Sequence, residues 1–251
     1  MRGSEKAILL EMLDDLVDHY RETDNLSLLA RIYGIFTIKT NKFASVDVLI
    51  MANSARTTKG TQKMAFDLKG SIKHREVFFD GKATKWWRKT KQCPESVMKD
   101  VNFKLINQEF NHGLLSFSPL EIEHYHEIVK KDSELLKKYN LMDYSLLLII
   151  EHSSSPIGEI TPKPKFERGV VDSENTLAPT FSKQTEKVHQ RYHIAIIDYL
   201  QEYNLNKKME RFAKTTCRSK SKRDKVSCAP TAFYQRRFVE FVTSAIFTRE
   251  R

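Results

Sequence analysis

Between Glu5 and Tyr20 the residues Leu9, Met12, Leu13, Leu16, Val17 and Tyr20 recur at helical spacing, which predicts an amphipathic helix packed on another element. The stretches "RIYGIFTIKT" and "VDVLIMANSA" read as two β-rich segments around a turn near residues 40–45. "MAFDLKGS" reads as a strand running into a glycine turn, and residues 121–139 read as a second amphipathic helix. "LMDYSLLLII" and "RYHIAIIDYL" are strands, and "FYQRRFVEFVTSAIF" is a closing amphipathic helix. Residues 153–188, rich in serine and proline with little periodicity, predict a mobile surface insertion, and residues 206–230 predict a basic loop.

Two of these strands carry an acid where an unpaired charge is expensive. Asp143 sits at the start of "LMDYSLLLII", and Asp198 follows Ile194, Ala195, Ile196 and Ile197. Two carboxylates mounted on rigid strand ends suit metal-assisted phosphoryl transfer. One orients or deprotonates the attacking hydroxyl, and the other holds a divalent cation that bridges nucleotide phosphates. The plainer alternative is a pair of strand-terminal acids capping adjacent turns, and spacing alone leaves both readings open.

Composition narrows the setting. Hydrophobic residues make up 40% and aromatics 10% of 251 residues, the composition of a globular chain. No run of about 18 apolar residues predicts a spanning helix, and Glu11 interrupts the only apolar stretch near the start, against a signal peptide. The three cysteines, Cys93, Cys217 and Cys228, form no CxxC pair and fit a reducing compartment. The eight glycines are spaced too widely for GxGxxG or GxxxxGK[ST]. The formal net charge is +10, and much of it is local. From Asn206 to Lys225 nine lysines and arginines stand against Glu210 and Asp224, a patch suited to an anionic partner or, more plainly, a solvated face. Phe212 is the only aromatic there, which counts against base stacking and a nucleic-acid partner.

Five stretches occur in a telling order: "FDLKGS" at 66–71, "MDYSLLL" at 142–148, "IIDYLQEY" at 196–203, "KKMERFAK" at 207–214 and "FYQRRFVEF" at 233–241. Together they resemble the motifs of the phosphatidylinositol phosphate kinases, from about Glu5 to the C-terminus, the 153–188 insertion aside. The resemblance implies an α+β, two-lobed lipid-kinase fold with antiparallel sheets. Residues 1–55 would be the remnant of an incomplete N-lobe and residues 56–251 the catalytic C-lobe. It implies ATP and Mg²⁺ as cofactors and a phosphatidylinositol monophosphate as substrate.

By resemblance, Asp143 corresponds to the family's catalytic base and Asp198 to its metal-binding acid. Lys69 corresponds to the lysine at the nucleotide site, its alternative being a solvated turn lysine. Asp67 is expected to hold the turn through side-chain to backbone bonds. Met51 and Asn53 fall where the interlobe hinge passes adenine, although Asn53 could equally be a turn asparagine. Lys207, Lys208, Glu210 and Lys214 belong to the specificity loop that meets the anionic bilayer. Glu210, in "KKMER", matches the 5-kinases and favours phosphatidylinositol 4-phosphate as substrate, with phosphatidylinositol 3-phosphate as runner-up. Ala195, where many 5-kinases have glycine, points the other way. The implied location is cytoplasmic and peripheral at membranes, the plasma membrane first, and a homodimer is allowed.

Two departures bear on activity. The family's glycine-rich turn and its "IIKT"-like strand with the ATP lysine would precede the first helix, so an N-terminal truncation is expected. Glu5 would then lack its lysine partner. The later "TIKT" with Lys39 follows that helix and is no substitute. Leu148 stands where protein kinases place a metal-binding asparagine, so metal binding must lean on Asp198. A non-catalytic lipid-binding relative is the alternative class.

Overall fold

The computed structural model describes residues 1–59, 61–78, 96–110, 113–153, 156–157, 170–175, 188–203 and 230–248. The elements predicted from periodicity appear in order. Two helices, α1 (Gly3–Glu11) and α2 (Leu13–Glu22), are followed by a hairpin of β1 (Ile32–Ile38) and β2 (Val46–Met51). Then come β3 (Gln62–Leu68), a two-residue β4 (Met98–Lys99), α3 (Asp100–Glu109) and α4 (Pro119–Lys138). β5 (Ser145–Ser153), β6 (Val170–Asn175), β7 (Val188–Ile197) and α5 (Thr231–Phe241), running into a π turn at Val242–Ile246, complete the chain. The fold is α+β, as expected.

The single predicted N-terminal helix is broken at Met12, whose φ of −90° and ψ of 0° turn the axis. That turn buries Leu9, Met12 and Leu16 but leaves Leu13 and Val17 exposed, so only half of the predicted stripe is core. Helix α4 begins two residues earlier than the periodicity suggested because Ser118 and Glu121 form a capping box. Ser118 Oγ accepts the Glu121 N–H at 3.3 Å and Glu121 Oε2 accepts the Ser118 N–H at 2.7 Å, with Pro119 at the first helical position. Asn140, left-handed at φ 54°, ends it.

Five strands form one sheet in the order β4-β3-β5-β7-β6, antiparallel except for the β3–β4 pair. β5 lies at its centre, and Leu146, Leu148, Ile149 and Ile150 are all buried, which explains the near-continuous apolar run of its sequence. Strand β6 corrects the expectation of a structureless insertion over 153–188: Val170 to Asn175 pair with His193 to Val188. A continuous backbone ladder along β7 outweighs the weak periodicity of this segment.

On one face, α5 closes the core through Tyr234 and Phe238, whose rings meet Tyr144 edge-on at 4.8 and 5.0 Å between centroids. Phe66 of β3 meets Phe103 of α3 at 5.3 Å, and Phe103 meets Phe241 of α5 at 6.5 Å. Helix α3 has no counterpart among the elements expected from periodicity, although Phe103 and Ile106 are on its buried face. Among the described residues no helix is long and apolar enough to cross a membrane.

Candidate active site at one edge of the sheet

Strand register decides which side chains meet. Leu68 of β3 pairs with Leu146 of β5, and Ser145 of β5 pairs with Ile197 of β7. Because these neighbours are antiparallel, Lys69 leaves β3, Asp143 approaches β5 and Asp198 leaves β7 at the same edge of the sheet. The flanking backbone is tightly tied there. Met142 N–H donates to the Gln201 carbonyl at 2.8 Å and Tyr203 N–H to the Asn140 carbonyl at 3.0 Å. Leu28 to Ala30 join the same corner: Ile196 N–H donates to Leu28 O at 2.7 Å and Ala30 N–H to Ile196 O at 2.9 Å. Tyr199, buried, donates its hydroxyl to the Ala30 carbonyl at 2.7 Å.

Both acids hold left-handed backbone, Asp143 at φ 67° and Asp198 at φ 57°. Aspartate is among the few residues that enter this region at modest cost, and such conformations concentrate where geometry serves a site. Lys69 Nζ sits 3.0 Å from Asp143 Oδ1 and donates to the Asp143 carbonyl oxygen at 2.6 Å. The lysine is therefore a partner of the acid and not a solvated turn residue. Asp198 is exposed at the edge.

These three residues, with Tyr199, Leu200 and Gln201, line a cleft of about 660 Å³. Val46 to Leu49 and Met51 of the hairpin line it as well, as do Arg2, which precedes α1, and Glu5 of α1. The size fits a nucleotide-like ligand. Met51 is in this wall, whereas Asn53 does not line it and accepts the Ala55 N–H at 3.1 Å, the geometry of a turn asparagine. Lys207, Lys208, Glu210 and Lys214 lie outside the described residues, as does nearly all of the expected basic loop.

The structure corrects the expected role of Asp67. The turn after β3 is held by Asp100, the first residue of α3, whose Oδ1 accepts the N–H groups of Lys69, Gly70 and Ser71 at 2.9, 2.7 and 3.3 Å. Asp67 instead faces Arg75, with its Oδ1 at 3.1 Å from Nη2. Burial pushes the Asp67 carboxyl upward, but the hydrogen bond and charge of Arg75 outweigh it and hold the group below its ordinary range. Nothing in the sequence pattern marks Asp100. It is about thirty residues from the turn, and the short parallel pairing of β4 beside β3 sets it there.

Gly70 has a steric reason to be glycine. Its φ is +67°, and an added Cβ would stand 3.0 Å from both the Arg237 carbonyl oxygen and Phe241 Cβ of α5. Gly70→Ala is expected to cost about 1–2 kcal/mol for the left-handed backbone alone, plus the displacement of α5. A melting temperature equal to that of the unaltered chain would contradict this contact.

Among the described residues no group of three or more histidines, cysteines or acids is placed to cage a metal. Asp198 nevertheless fits Mg²⁺, which uses one or two protein carboxylates and completes its shell with phosphate oxygens and water.

The sheet thus brings two left-handed acids and a lysine to one edge, beside a cleft that the β1–β2 hairpin also lines. The chain belongs to the phosphatidylinositol-4-phosphate 5-kinase family, whose model matches residues 1–245. It is 26% identical over 292 residues to a probable phosphatidylinositol phosphate kinase of Dictyostelium discoideum, covering 96% of this chain and 38% of that protein. It is 26% identical over 257 residues to the mouse phosphatidylinositol 4-phosphate 5-kinase type-1 beta, covering 89% of this chain and 43% of the relative. It is also 27% identical over 296 residues to phosphatidylinositol 4-phosphate 5-kinase 5 of Arabidopsis thaliana, covering 96% and 34%. The chain thus spans less than half the length of these relatives.

Proposed function

We infer that this chain transfers the γ-phosphoryl group of ATP to the 5-hydroxyl of phosphatidylinositol 4-phosphate. The observation that carries this reading is the convergence of Lys69, Asp143 and Asp198 at one edge of the sheet, facing a cleft that Met51 also lines. Asp143 accepts the proton of the inositol hydroxyl, or holds that hydroxyl in line with the phosphoryl group. Lys69, already paired with Asp143, places its positive charge between the base and the transferring phosphoryl. There it offsets negative charge that grows on the oxygens. Asp198 would hold Mg²⁺, which supplies bridging and charge neutralisation at the nucleotide phosphates when bound. Met51 meets the adenine end, in a wall contributed by the segment assigned to the N-lobe (residues 1–55), while the two acids come from the C-lobe (56–251).

Substrate and location rest on sequence. Glu210 in "KKMER" supports phosphatidylinositol 4-phosphate over other monophosphates, and Lys207, Lys208 and Lys214 supply charge toward an anionic bilayer. Each base near such a surface contributes about 1 kcal/mol, so several suffice to hold a peripheral protein at a membrane, the plasma membrane being the expected one.

The test is transfer of label from γ-labelled ATP with Mg²⁺ to vesicles carrying phosphatidylinositol 4-phosphate or phosphatidylinositol 3-phosphate. The expected product is the 4,5-bisphosphate, formed at least about tenfold faster than product from the 3-phosphate. Preference for the 3-phosphate would reassign the substrate. Vesicle binding without any transfer would reassign the chain as a non-catalytic lipid binder.

A further inference from the structure

The carboxylate of Asp100 is 1% exposed and engaged on both oxygens. Besides the three N–H groups that Oδ1 accepts, Oδ2 accepts from Arg75 Nε at 2.7 Å. Arg75 spans two acids, since its Nη2 also reaches Asp67 Oδ1. Successive N–H groups pointing at one spot around a left-handed glycine form an anion-binding concavity. Such a nest beside a nucleotide cleft is where a phosphate oxygen would be expected to sit. In this protein its own carboxylate fills the nest.

Two things follow. The backbone of the turn is not available to cradle phosphate, so the phosphate contact at this corner falls to the Lys69 side chain. The position of that side chain is in turn set by Asp100, which fixes the Lys69, Gly70 and Ser71 amides while Nζ reaches Asp143.

We propose that Asp100 is a positioning residue for Lys69, holding the lysine against Asp143 by occupying the amide nest of the turn. This rests on the phosphoryl-transfer reading above. Asp100 touches neither nucleotide nor lipid; it acts through Lys69 alone. The Asp100–Arg75 charge pair gives the nest a full negative charge without leaving that charge uncompensated in the interior.

Asp100→Asn keeps the size of the side chain but turns a donor NH₂ toward either the turn amides or Arg75, all of them donors. Amide exchange at residues 69–71 should accelerate by about tenfold or more, while the protection of β5 and β7 is unchanged. On lipid vesicles kcat should fall at least about tenfold, with KM for MgATP and for lipid changed less than about threefold. Added to Lys69→Met, Asp100→Asn should cause no further loss, because both changes remove the same placed charge. Unchanged exchange at 69–71, or a double variant whose loss is the product of the two single losses, overturns the proposal. If the unaltered chain shows no lipid phosphorylation, the functional reading fails. The exchange measurement then still decides whether Asp100 holds the turn that carries Lys69. Should Asp100→Asn unfold, Asp100→Ser carries the same two measurements.

Discussion

Replacing Asp143 by asparagine is expected to lower lipid phosphorylation by about 10²–10⁴-fold while leaving the melting temperature close to that of the unaltered chain. The reasoning separates backbone from charge. Asp143 stands at φ 67°, and asparagine enters that region at least as readily as aspartate, so the approach to β5 is retained. The amide also keeps an oxygen for Lys69 Nζ, 3.0 Å away in the native pair. What is removed is the carboxylate proposed to take or orient the hydroxyl proton. Asp143→Ala is expected to behave differently. It loses the same chemistry and adds about 1–2 kcal/mol of backbone cost, because alanine is strained in the left-handed region. Asp198→Asn, also left-handed, should keep the fold and shift the Mg²⁺ titration of activity to higher concentration. Turnover by Asp143→Asn within a few-fold of the unaltered chain would remove Asp143 as the base and leave it a turn-forming residue.

That plainer alternative was open from spacing alone, and the reasons show what a sequence can and cannot display. The apolar runs on either side of Asp143 and Asp198 mark two strands, because burial on both faces leaves a continuous hydrophobic record. Their pairing in one register, which brings the acids to a common edge, leaves no local trace. Only the ordered motifs pointed to it. Lys69 was legible through its motif, and its contact with Asp143 spans 74 residues. Asp100 was not legible. A lone acid ahead of "VNFKLINQE" looks like any helix-starting residue, and its effect is exerted on amides 29 to 31 positions away. Asp67 is the residue that sequence favours for that work, because it is adjacent to the turn, where side-chain to backbone bonds are usual. The break at Met12 was hidden for another reason. A heptad-like stripe records which residues are apolar, not that Leu13 and Val17 would be turned outward by one non-helical residue.

The opposite end of the sheet carries a buried polar cluster that makes stability depend on pH in two separate windows. His152 of β5 is 5% exposed, and burial pushes its imidazole down to about 4 from an ordinary 6.5. Above pH 6.5 neither folded nor unfolded chain is protonated there, so the group contributes no pH dependence. Between 6.5 and 4 the unfolded chain takes up a proton that the folded one excludes, so stability falls with pH, by about 3 kcal/mol at pH 4. Glu151, next in sequence, behaves as the usual carboxylate. Its burial opposes ionisation, but His193 at 2.7 Å, the Thr61 hydroxyl at 2.6 Å and the Thr58 N–H at 2.7 Å outweigh it and lower the group below 4.5. Its contribution is therefore present above pH 4.5 and lost only as pH falls through the lowered value. This carboxylate ties Thr58 and Thr61, which lie between the hairpin and β3 in the chain. Urea unfolding between pH 7 and about 3 should show a declining stability whose upper part, above about pH 4, His152→Asn flattens, since asparagine accepts from Gln190 Nε2 without titrating. The further drop below pH 4.5 should remain in His152→Asn and shrink in Glu151→Gln. An unaltered slope in His152→Asn would assign the upper window to other groups and leave His152 as packing alone.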